Sequence, residues 1–261
     1  MDEGPVGIVT GAGRGIGAAV ARRLAADGWR LVLVDRCADD PALAYPLATE
    51  EELRGVAAEA GGIACIADVR DQAGLDASVA IAVDAFGGLD GAVAAAGCIA
   101  GGPSSWHTAD EVWEAMVRVN LEGVWRLVRA AVPALLDRPP PRRGRFVAIS
   151  SAGGTRGLPR LAAYAAAKHG VDGLVRSLAA ELGPEGVTAN AVAPGSTATA
   201  MLDASAHVYG LDAPERLAEH HLLGRLVRPE EVAEMVVWLC GEGAGAVTGA
   251  VLPVDAGMTA S

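Results

Sequence analysis

Aromatic residues are scarce in this 261-residue chain, at 4% of the sequence, and lysine occurs only once, at position 168. Ala, Val and Leu must therefore fill the core that an apolar content of 51% can build. Basic residues are outnumbered, with 21 Lys and Arg against 32 Asp and Glu, which gives a formal net charge of −11. Because phosphate groups and anionic lipids bind basic surfaces, we predict neither a nucleic-acid partner nor a membrane partner.

The four cysteines form no C-x-x-C pair, so the sequence predicts neither a zinc site nor a disulfide framework, and we expect no metal. Reduced and mostly buried thiols are expected at Cys37, Cys65, Cys98 and Cys240. No apolar run approaches the ~18 residues of a membrane span. The acidic first residues, 1–4, are unlike a signal peptide, and we therefore expect a cytoplasmic protein.

Short Val, Ile and Ala runs alternate with longer helical patterns along the chain. The predicted strands are Val6–Thr10, Arg30–Asp35, Ile63–Asp68, Gly91–Ala95, Gly144–Ser150, Val187–Val192 and Ala250–Val254, and the predicted helices lie near 15–27, 49–60, 71–86, 110–137, 162–183 and 229–240. Several strands are continuously apolar, which is typical of strands buried on both faces of a parallel sheet. The pattern predicts one α/β domain over 1–261, with a doubly wound (Rossmann), mostly parallel seven-stranded sheet and helices on both faces.

A glycine-rich turn, Thr10–Gly17 (TGAGRGIG), joins the first strand to the first helix. Its glycines permit a tight turn and a close approach of the backbone to a pyrophosphate. The helix N-terminus offers free N–H groups and a partial positive charge to that anion. The position between a strand and a helix makes a dinucleotide site the favoured interpretation over an ordinary glycine-rich turn.

The second predicted strand ends at Asp35. A carboxylate there can accept hydrogen bonds from both hydroxyls of an adenosine ribose and repels a 2′-phosphate, so we predict NAD as the cofactor. Arg14 and Arg36 leave NADP open as the alternative, because either could pair with a 2′-phosphate. Asp68 and Val69 follow the third strand and are placed to meet the adenine amino group, although a plain loop aspartate fits the pattern nearly as well.

Tyr164 and Lys168 lie four residues apart in a helical pattern, which puts both side chains on one helix face. An ordinary tyrosine has a pKa of about 10, and accepting a proton from an alcohol needs a lower value. A lysine ammonium one turn away, together with the positive nicotinamide ring, supplies charge of the right sign. The pair therefore predicts a general acid/base, Tyr164, whose pKa is lowered by Lys168.

Ser151 follows the strand that ends at Ser150, where ligands of a parallel sheet gather. Its hydroxyl is placed to bind a substrate oxygen beside Tyr164. Asn120 interrupts a long helical pattern and is a poor residue for a helix interior. Its amide could hold a water in a proton relay to Lys168, but a merely tolerated helical Asn fits the spacing equally well.

Together these residues resemble the short-chain dehydrogenase/reductase family over nearly the whole chain, in order and in spacing. The resemblance implies a catalytic set of Asn120, Ser151, Tyr164 and Lys168. It implies that Thr199, after the Pro194–Gly195 turn, contacts the nicotinamide carboxamide. The full set of implied cofactor residues is Gly11, Arg14, Gly15, Ile16, Gly17, Asp35, Arg36, Asp68, Val69, Ala96, Gly97, Tyr164, Lys168, Pro194, Gly195, Thr197 and Thr199. One departure is Ala95, where the family usually carries an Asn that braces the central strands.

Two long irregular segments are expected to be functional loops. Residues 196–226 are rich in Ala and Leu and are predicted to bind a mainly apolar alcohol or ketone. Residues 36–48 follow Asp35 directly and resemble the insertion of mycofactocin-coupled dehydrogenases of the same family. That resemblance implies a cover over NAD, which is then recycled in place by the peptide-derived carrier mycofactocin. Leu43, Tyr45 and Leu47 are expected to close on the adenine.

The sequence thus predicts an NAD-dependent oxidoreductase that interconverts a secondary alcohol and a ketone. The alternatives are an NADP-dependent ketoreductase and a non-catalytic dinucleotide-binding sensor. The helices at 110–137 and 162–183 carry more apolar positions than one buried stripe requires: Val124, Trp125, Leu127, Val128, Val171, Leu174 and Leu178. With the family resemblance, this surplus predicts a helix-packed dimer that is doubled to a homotetramer.

Overall fold

The computed structural model describes residues 4–260. Seven strands form one parallel sheet in the order β3-β2-β1-β4-β5-β6-β7, which confirms the predicted doubly wound architecture. The strands are β1 (Val6–Thr10), β2 (Arg30–Asp35), β3 (Ile63–Ile66), β4 (Gly91–Ala94), β5 (Arg145–Ile149), β6 (Thr188–Pro194) and β7 (Val251–Val254). The strand order reverses between β1 and β4, and a crevice opens at such a switch point at the carboxyl ends of the strands.

Helices cover both faces of the sheet. They are α1 (Gly15–Ala26), α2 (Glu50–Ala60), α3 (Gln72–Phe86), α4 (Asp110–Val117), α5 (Gly123–Leu136), α6 (Ala162–Leu182), α7 (Ala200–Tyr209) and α8 (Pro229–Cys240). Apolar residues of α3, α5 and α6 pack on one face, and those of α1, α2 and α8 pack on the other. Successive strand residues alternate between the two cores: Ile8 belongs to the first and Val9 to the second. The sheet is therefore buried on both sides, as its apolar strands predict.

The helix predicted over 110–137 is two helices separated by a wider, π-helical turn at Arg118–Glu122. Asn120 explains the break, because its side-chain amide donates to the Met116 carbonyl at 3.0 Å, the group that a regular helix would give to the backbone N–H of residue 120. The sequence analysis also missed α7 and the 3₁₀ turns at Pro214–His220, both within the segment 196–226.

The apolar surplus that supported the oligomer prediction is mostly absorbed within one chain. Val124, Leu127, Val128, Val171 and Leu178 are all buried in the core on the face of the sheet that α3, α5 and α6 cover, and Leu174 is partly buried there. Trp125 on α5 stays 43% exposed and is flanked by the guanidinium groups of Arg126 and Arg129. The count of apolar positions therefore gives weaker support to the homotetramer than the sequence alone suggests, and the oligomeric state stays a prediction.

All four cysteines are free, with Cys37 partly exposed and the other three buried, as expected. Within residues 4–260, no helix combines the length and the apolar character that crossing a bilayer requires. The same described residues contain no group of three or more His, Cys, Asp or Glu side chains arranged to hold a metal ion.

Candidate active site

A cleft of about 550 Å³ runs along the carboxyl ends of the strands. Every residue that the sequence analysis placed at a cofactor or catalytic site lines it: Gly11, Arg14, Gly15, Ile16, Gly17, Asp35, Arg36, Asp68, Val69, Ala96, Gly97, Asn120, Ser151, Tyr164, Lys168, Pro194, Gly195, Thr197 and Thr199. Residues more than 180 positions apart in the chain are thus brought to one cavity by the parallel sheet.

The glycine-rich turn is closely packed and needs its glycines. A Cβ atom at Gly17 would lie 2.1 Å from the Gly11 carbonyl oxygen, and one at Gly11, whose φ is +67°, would lie 2.6 Å from the Ala96 backbone. No side chain caps the start of α1, where Arg14 precedes the first helical residue. The first-turn N–H groups therefore face the cleft without a side-chain acceptor, which is the arrangement that binds a phosphate.

Asp35 ends β2 and ties that strand to the glycine-rich turn. Its Oδ2 accepts a hydrogen bond of 2.9 Å from the Gly13 backbone N–H. The carboxylate thus lies beside the glycine-rich turn, where we predict that the adenosine ribose of a dinucleotide extends.

A network of charged side chains lines the cleft next to Asp35. Asp40 pairs with Arg36 at 2.6 Å and with Arg70 at 2.9 Å, and Arg70 also pairs with Asp68 at 2.6 Å. Burial opposes ionisation of Asp40, but hydrogen bonds from the Ala42 N–H and Arg36, and the charge of Arg70, hold the pKa of its carboxyl below the usual value. The guanidinium of Arg36 is therefore already committed to carboxylates and is poorly placed to serve a 2′-phosphate.

The segment 36–48, which we name the strap, crosses the cleft and is fixed at its far side. Arg14 of the glycine-rich turn donates to the Pro46 carbonyl, and the Tyr45 hydroxyl accepts from the Ile99 N–H at 3.0 Å. Leu43, Tyr45 and Leu47 all line the cleft. The expectation that Leu43 and Tyr45 close on the adenine needs correction, because both pack in the apolar cluster that contains Tyr164. For Leu47 the expectation stays a prediction.

Tyr164, Lys168 and Ser151 come together where α6 meets the end of β5. The Lys168 ammonium donates to the Ile149 carbonyl at 2.8 Å and lies 5.8 Å from the centroid of the Tyr164 ring. Ser151 follows β5, and its side chain hydrogen-bonds with Tyr164 and accepts from the Gly153 N–H at 3.0 Å. A hydroxyl, a phenol and an ammonium thus converge on one part of the cleft.

Burial dominates the acid–base behaviour of this group. Burial raises the pKa of Tyr164 to about 12, and the hydrogen bond to Ser151 opposes it. Burial lowers the pKa of Lys168 to about 8, and electrostatic interactions with Cys98 and Asp172 oppose this shift. The prediction that Lys168 lowers the pKa of Tyr164 therefore does not hold for the chain alone. Burial of the phenolate raises this pKa by more than the hydrogen bond to Ser151 lowers it.

Asn120 is buried and uses its whole amide to brace the loop after β4. Its Oδ1 accepts from the Cys98 N–H at 3.1 Å, and its Nδ2 donates to the carbonyls of Cys98 and Met116, both at 3.0 Å. Both amide protons are therefore committed to backbone carbonyls. A proton relay through Asn120 stays a prediction. The contacts present in the structure join α4 to the loop after β4.

The turn after β6 reaches back to the glycine-rich turn. Thr197 donates to the Gly195 carbonyl at 3.0 Å, and Thr199 precedes α7. The Thr199 methyl would lie 3.3 Å from a Cβ atom at Gly15. Thr199 thus lies next to the glycine-rich turn. Its contact with the nicotinamide carboxamide stays a prediction.

The remaining part of the cleft is lined mainly by apolar side chains. Within the segment 196–226 these are Met201, Leu202 and Tyr209 of α7 and Leu217 of the 3₁₀ turns at Pro214–His220. Leu158 and Leu161, from the loop before α6, and Met258 of the C-terminal segment lie outside that segment, and the sequence analysis missed them. The period of α7 was the available signal, because Leu202 and Ala206 lie one turn apart and are both buried.

Comparisons with known proteins cover nearly the whole chain. The family model described as enoyl-(acyl carrier protein) reductase matches residues 11–259. An uncharacterized NAD-dependent oxidoreductase of Mycobacterium tuberculosis is 38% identical over 98% of this chain and 96% of its own. A (−)-trans-carveol dehydrogenase of Rhodococcus erythropolis is 37% identical over 98% of both chains. The crystal structure of carveol dehydrogenase from Mycobacterium avium in complex with NAD has a TM-score of 0.94 and 35% identity, covering 100% of this chain and 99% of that one.

Proposed function

The chain belongs to the short-chain dehydrogenase/reductase family, and on that premise we propose that it is an NAD-dependent oxidoreductase that interconverts a secondary alcohol and a ketone. The observation that carries this proposal is the convergence of Ser151, Tyr164 and Lys168 in a cleft that also contains the glycine-rich turn. A protein that only bound or sensed a dinucleotide would need the turn but not this convergence of a phenol and an ammonium.

The residues present fit NAD. The glycine-rich turn has no room for side chains and presents uncapped N–H groups, which suits a pyrophosphate. Asp35 lies next to that turn, and its negative charge disfavours a 2′-phosphate. Arg36 is paired with Asp40, and Arg14 donates one hydrogen bond to the strap, so both arginines already have partners that compete with a 2′-phosphate. NAD-dependent and NAD-bound relatives agree with this assignment.

In the proposed mechanism the substrate oxygen lies between the hydroxyls of Ser151 and Tyr164. Ser151 orients that oxygen, and Tyr164 accepts its proton during alcohol oxidation or donates one during ketone reduction. Lys168, fixed by the Ile149 carbonyl, keeps a positive charge one turn from Tyr164. When bound, NAD⁺ supplies the hydride acceptor and a positive ring charge that favours the Tyr164 phenolate.

We infer a small, mainly apolar alcohol as the substrate, because Leu158, Leu161, Met201, Leu202 and Leu217 line the wall beyond Tyr164. Carveol, the substrate named for the Rhodococcus relative, is an alcohol of this type. The direct test is the reduction of NAD, and in parallel of NADP, by purified protein supplied with a panel of small secondary alcohols. We expect NAD to be reduced. Reduction of NADP instead would establish the ketoreductase alternative, and binding of NAD without any reduction would establish the sensor.

The strap supports a narrower proposal, that NAD stays bound between turnovers and is reoxidised in place by the carrier mycofactocin. Three contacts hold the strap to the rest of the chain: Asp40 with Arg70, Pro46 with Arg14, and Tyr45 with Ile99. A bound dinucleotide would have to break them to leave, and a cover of this kind mainly slows dissociation.

The experiment for this narrower proposal is exchange of isotopically labelled NAD into the purified protein. We expect NAD to co-purify, to exchange slowly, and to support repeated turnover only when an artificial electron acceptor replaces the carrier. A variant without residues 38–47 should exchange NAD freely while it still reduces NAD with an alcohol. Complete exchange within seconds in the unmodified protein would reject the cover and leave the dehydrogenase assignment intact.

A further inference from the structure

Asp172 is a buried carboxylate that the proposed mechanism does not use. It lies one turn after Lys168 on α6 and is 2% exposed. Its Oδ1 accepts a hydrogen bond of 2.5 Å from the Ser150 hydroxyl. Its Oδ2 is buried and has no hydrogen-bond partner among the described residues. A carboxylate removed from water in this way is stable in its ionised form only if a positive charge lies nearby. The Lys168 ammonium, one turn earlier on α6, is such a charge.

Asp172 and Lys168 together hold the end of β5. Lys168 donates to the carbonyl of Ile149, and Asp172 accepts from the side chain of Ser150, the next residue. Two side chains one helical turn apart thus bind two consecutive residues, and the residue that follows is Ser151. This double contact fixes the distance between α6, which carries Tyr164, and the serine that would orient the substrate.

The turn after Ser151 makes room for this arrangement. A Cβ atom at Gly154 would lie 2.7 Å from the Ser150 hydroxyl oxygen and 2.9 Å from Asp172 Oδ2. Any side chain at this position would therefore displace the pair. The absence of a side chain at Gly154 is what allows the carboxyl group to reach the end of β5.

The charges around the pair are few. Lys168 is 4% exposed and takes part in no ion pair between described residues. The ionisable groups that act on it are Cys98, from the loop after β4, and Asp172; Tyr164 lies one turn away on its own helix. Burial raises the pKa of the Asp172 carboxyl above its usual value, and the hydrogen bond from Ser150, the residue after β5, opposes this rise. Interactions with Arg176, His169 and Lys168 of α6 also favour the ionised carboxylate. Among residues 4–260, Asp172 is thus the carboxylate that acts on the Lys168 charge.

We propose that Asp172 is a positioning residue, which with Ser150 holds the end of β5 against α6 and supplies the negative charge that balances the buried Lys168 ammonium. It touches neither substrate nor cofactor and acts through Lys168 and Ser151. The inference rests on the proposed function only for its effect on turnover, because the charge balance itself can be measured without a reaction.

The single lysine of the chain makes that measurement direct. Protein grown with isotope-labelled lysine gives one Cε signal in a nuclear magnetic resonance spectrum, and its titration reports the Lys168 charge. Burial, opposed in part by interactions with Cys98 and Asp172, puts the pKa of Lys168 at about 8. We expect Asp172→Asn, which keeps the shape of the side chain, to move the midpoint down by about one pH unit. Ser150→Ala should move it in the same direction by less, because Asp172 then ionises less readily.

Ser78→Ala is the matched control for Ser150→Ala. Ser78 is also 2% exposed and donates to a backbone carbonyl, that of Gly74, but it lies on α3 outside the cleft. We expect it to leave the Lys168 midpoint unchanged. An unchanged midpoint in folded Asp172→Asn, or equal shifts in the two serine variants, would overturn the proposal. If Asp172→Asn does not fold, Ser150→Ala against Ser78→Ala decides the matter alone.

Turnover provides a second readout that separates this inference from the proposed function. In Asp172→Asn the alkaline limb of the kcat profile should move to lower pH together with the Lys168 midpoint, because the ammonium is lost earlier. A purely structural defect would lower kcat equally at every pH. A shifted Lys168 midpoint in a protein that oxidises no alcohol would sustain the charge balance and reject the dehydrogenase assignment.

Discussion

The Tyr45 hydroxyl is the contact through which the strap reaches the loop after β4, and Tyr45→Phe removes it with the least other change. The phenyl ring keeps its place in the apolar cluster around Tyr164, and only the hydrogen bond from the Ile99 N–H is lost. Ile99 is 6% exposed, so its N–H is left with poor access to water while the strap is closed.

The size of the effect follows from that unpaired donor. A buried N–H without an acceptor costs about 1–3 kcal/mol, and this cost applies to the closed strap but not to an open one, where water reaches the group. Since about 1.4 kcal/mol corresponds to a factor of ten, opening becomes easier by roughly 5- to 150-fold. If NAD leaves only through the open form, its dissociation rate constant rises by the same factor.

The assay is the release of labelled NAD into an excess of unlabelled NAD, followed over time for the unmodified protein and for Tyr45→Phe. Tyr209→Phe is the matched control, because Tyr209 lines the cleft from the end of α7 and lies outside the strap. We expect faster release in Tyr45→Phe alone. Equal rates in all three proteins, or equal acceleration in both variants, would refute the view that this hydrogen bond holds the strap closed.

Three further predictions concern the choice of cofactor, the pH dependence of NAD release and the oligomeric state. Asp35→Ala should reduce the preference for NAD over NADP by about tenfold or more, because a 2′-phosphate no longer meets a carboxylate; a preference for NADPH in the unmodified protein, measured by titration of both cofactors, would contradict the role of Asp35. The pKa of Asp40 is lowered in the closed strap, so the closed strap binds fewer protons than the open strap. The contribution of Asp40 to closure is therefore complete above its ordinary pKa of 3.8 and is lost as the pH falls through the lowered pKa, and NAD release should accelerate only in that acid range. Release that is independent of pH down to unfolding would count against the anchor at Asp40. Light scattering at micromolar concentration should give four chains of 26.3 kDa each, and a monomer would reject the family-based assembly.

The strands and the convergence of Tyr164, Lys168 and Ser151 were predictable because each rests on a local signal. Continuous apolar runs placed β1 and β2 with their observed bounds, and the spacing of Tyr164 and Lys168 required only one helical turn. The parallel sheet then brings the glycine-rich turn, Asp35 and Ser151 to the same edge without any further information.

What could not be predicted depends on contacts between distant segments. The Tyr45–Ile99 bond joins residues 54 positions apart, and nothing near Tyr45 in the sequence indicates that acceptor role. Asn120 was singled out for its poor helix propensity, but its use as a brace for Cys98 needs the loop after β4 in place. The sequence predicts a lowered pKa for Tyr164 from the nearby charge of Lys168. The burial that instead raises this pKa depends on the folded chain and has no local signal in the sequence.

Replacement of the Tyr164 phenol is the measurement that tests the central claim most directly. Tyr164→Phe keeps the ring and removes the proton-transferring hydroxyl, so the account predicts that the rate of NAD reduction by an active secondary alcohol falls by roughly 10²-fold or more. Bound NAD, measured as cofactor released on denaturation, should stay equal to that of the unmodified protein. A variant that retains NAD and turns over at a near-normal rate would contradict the assignment of Tyr164 as the acid/base.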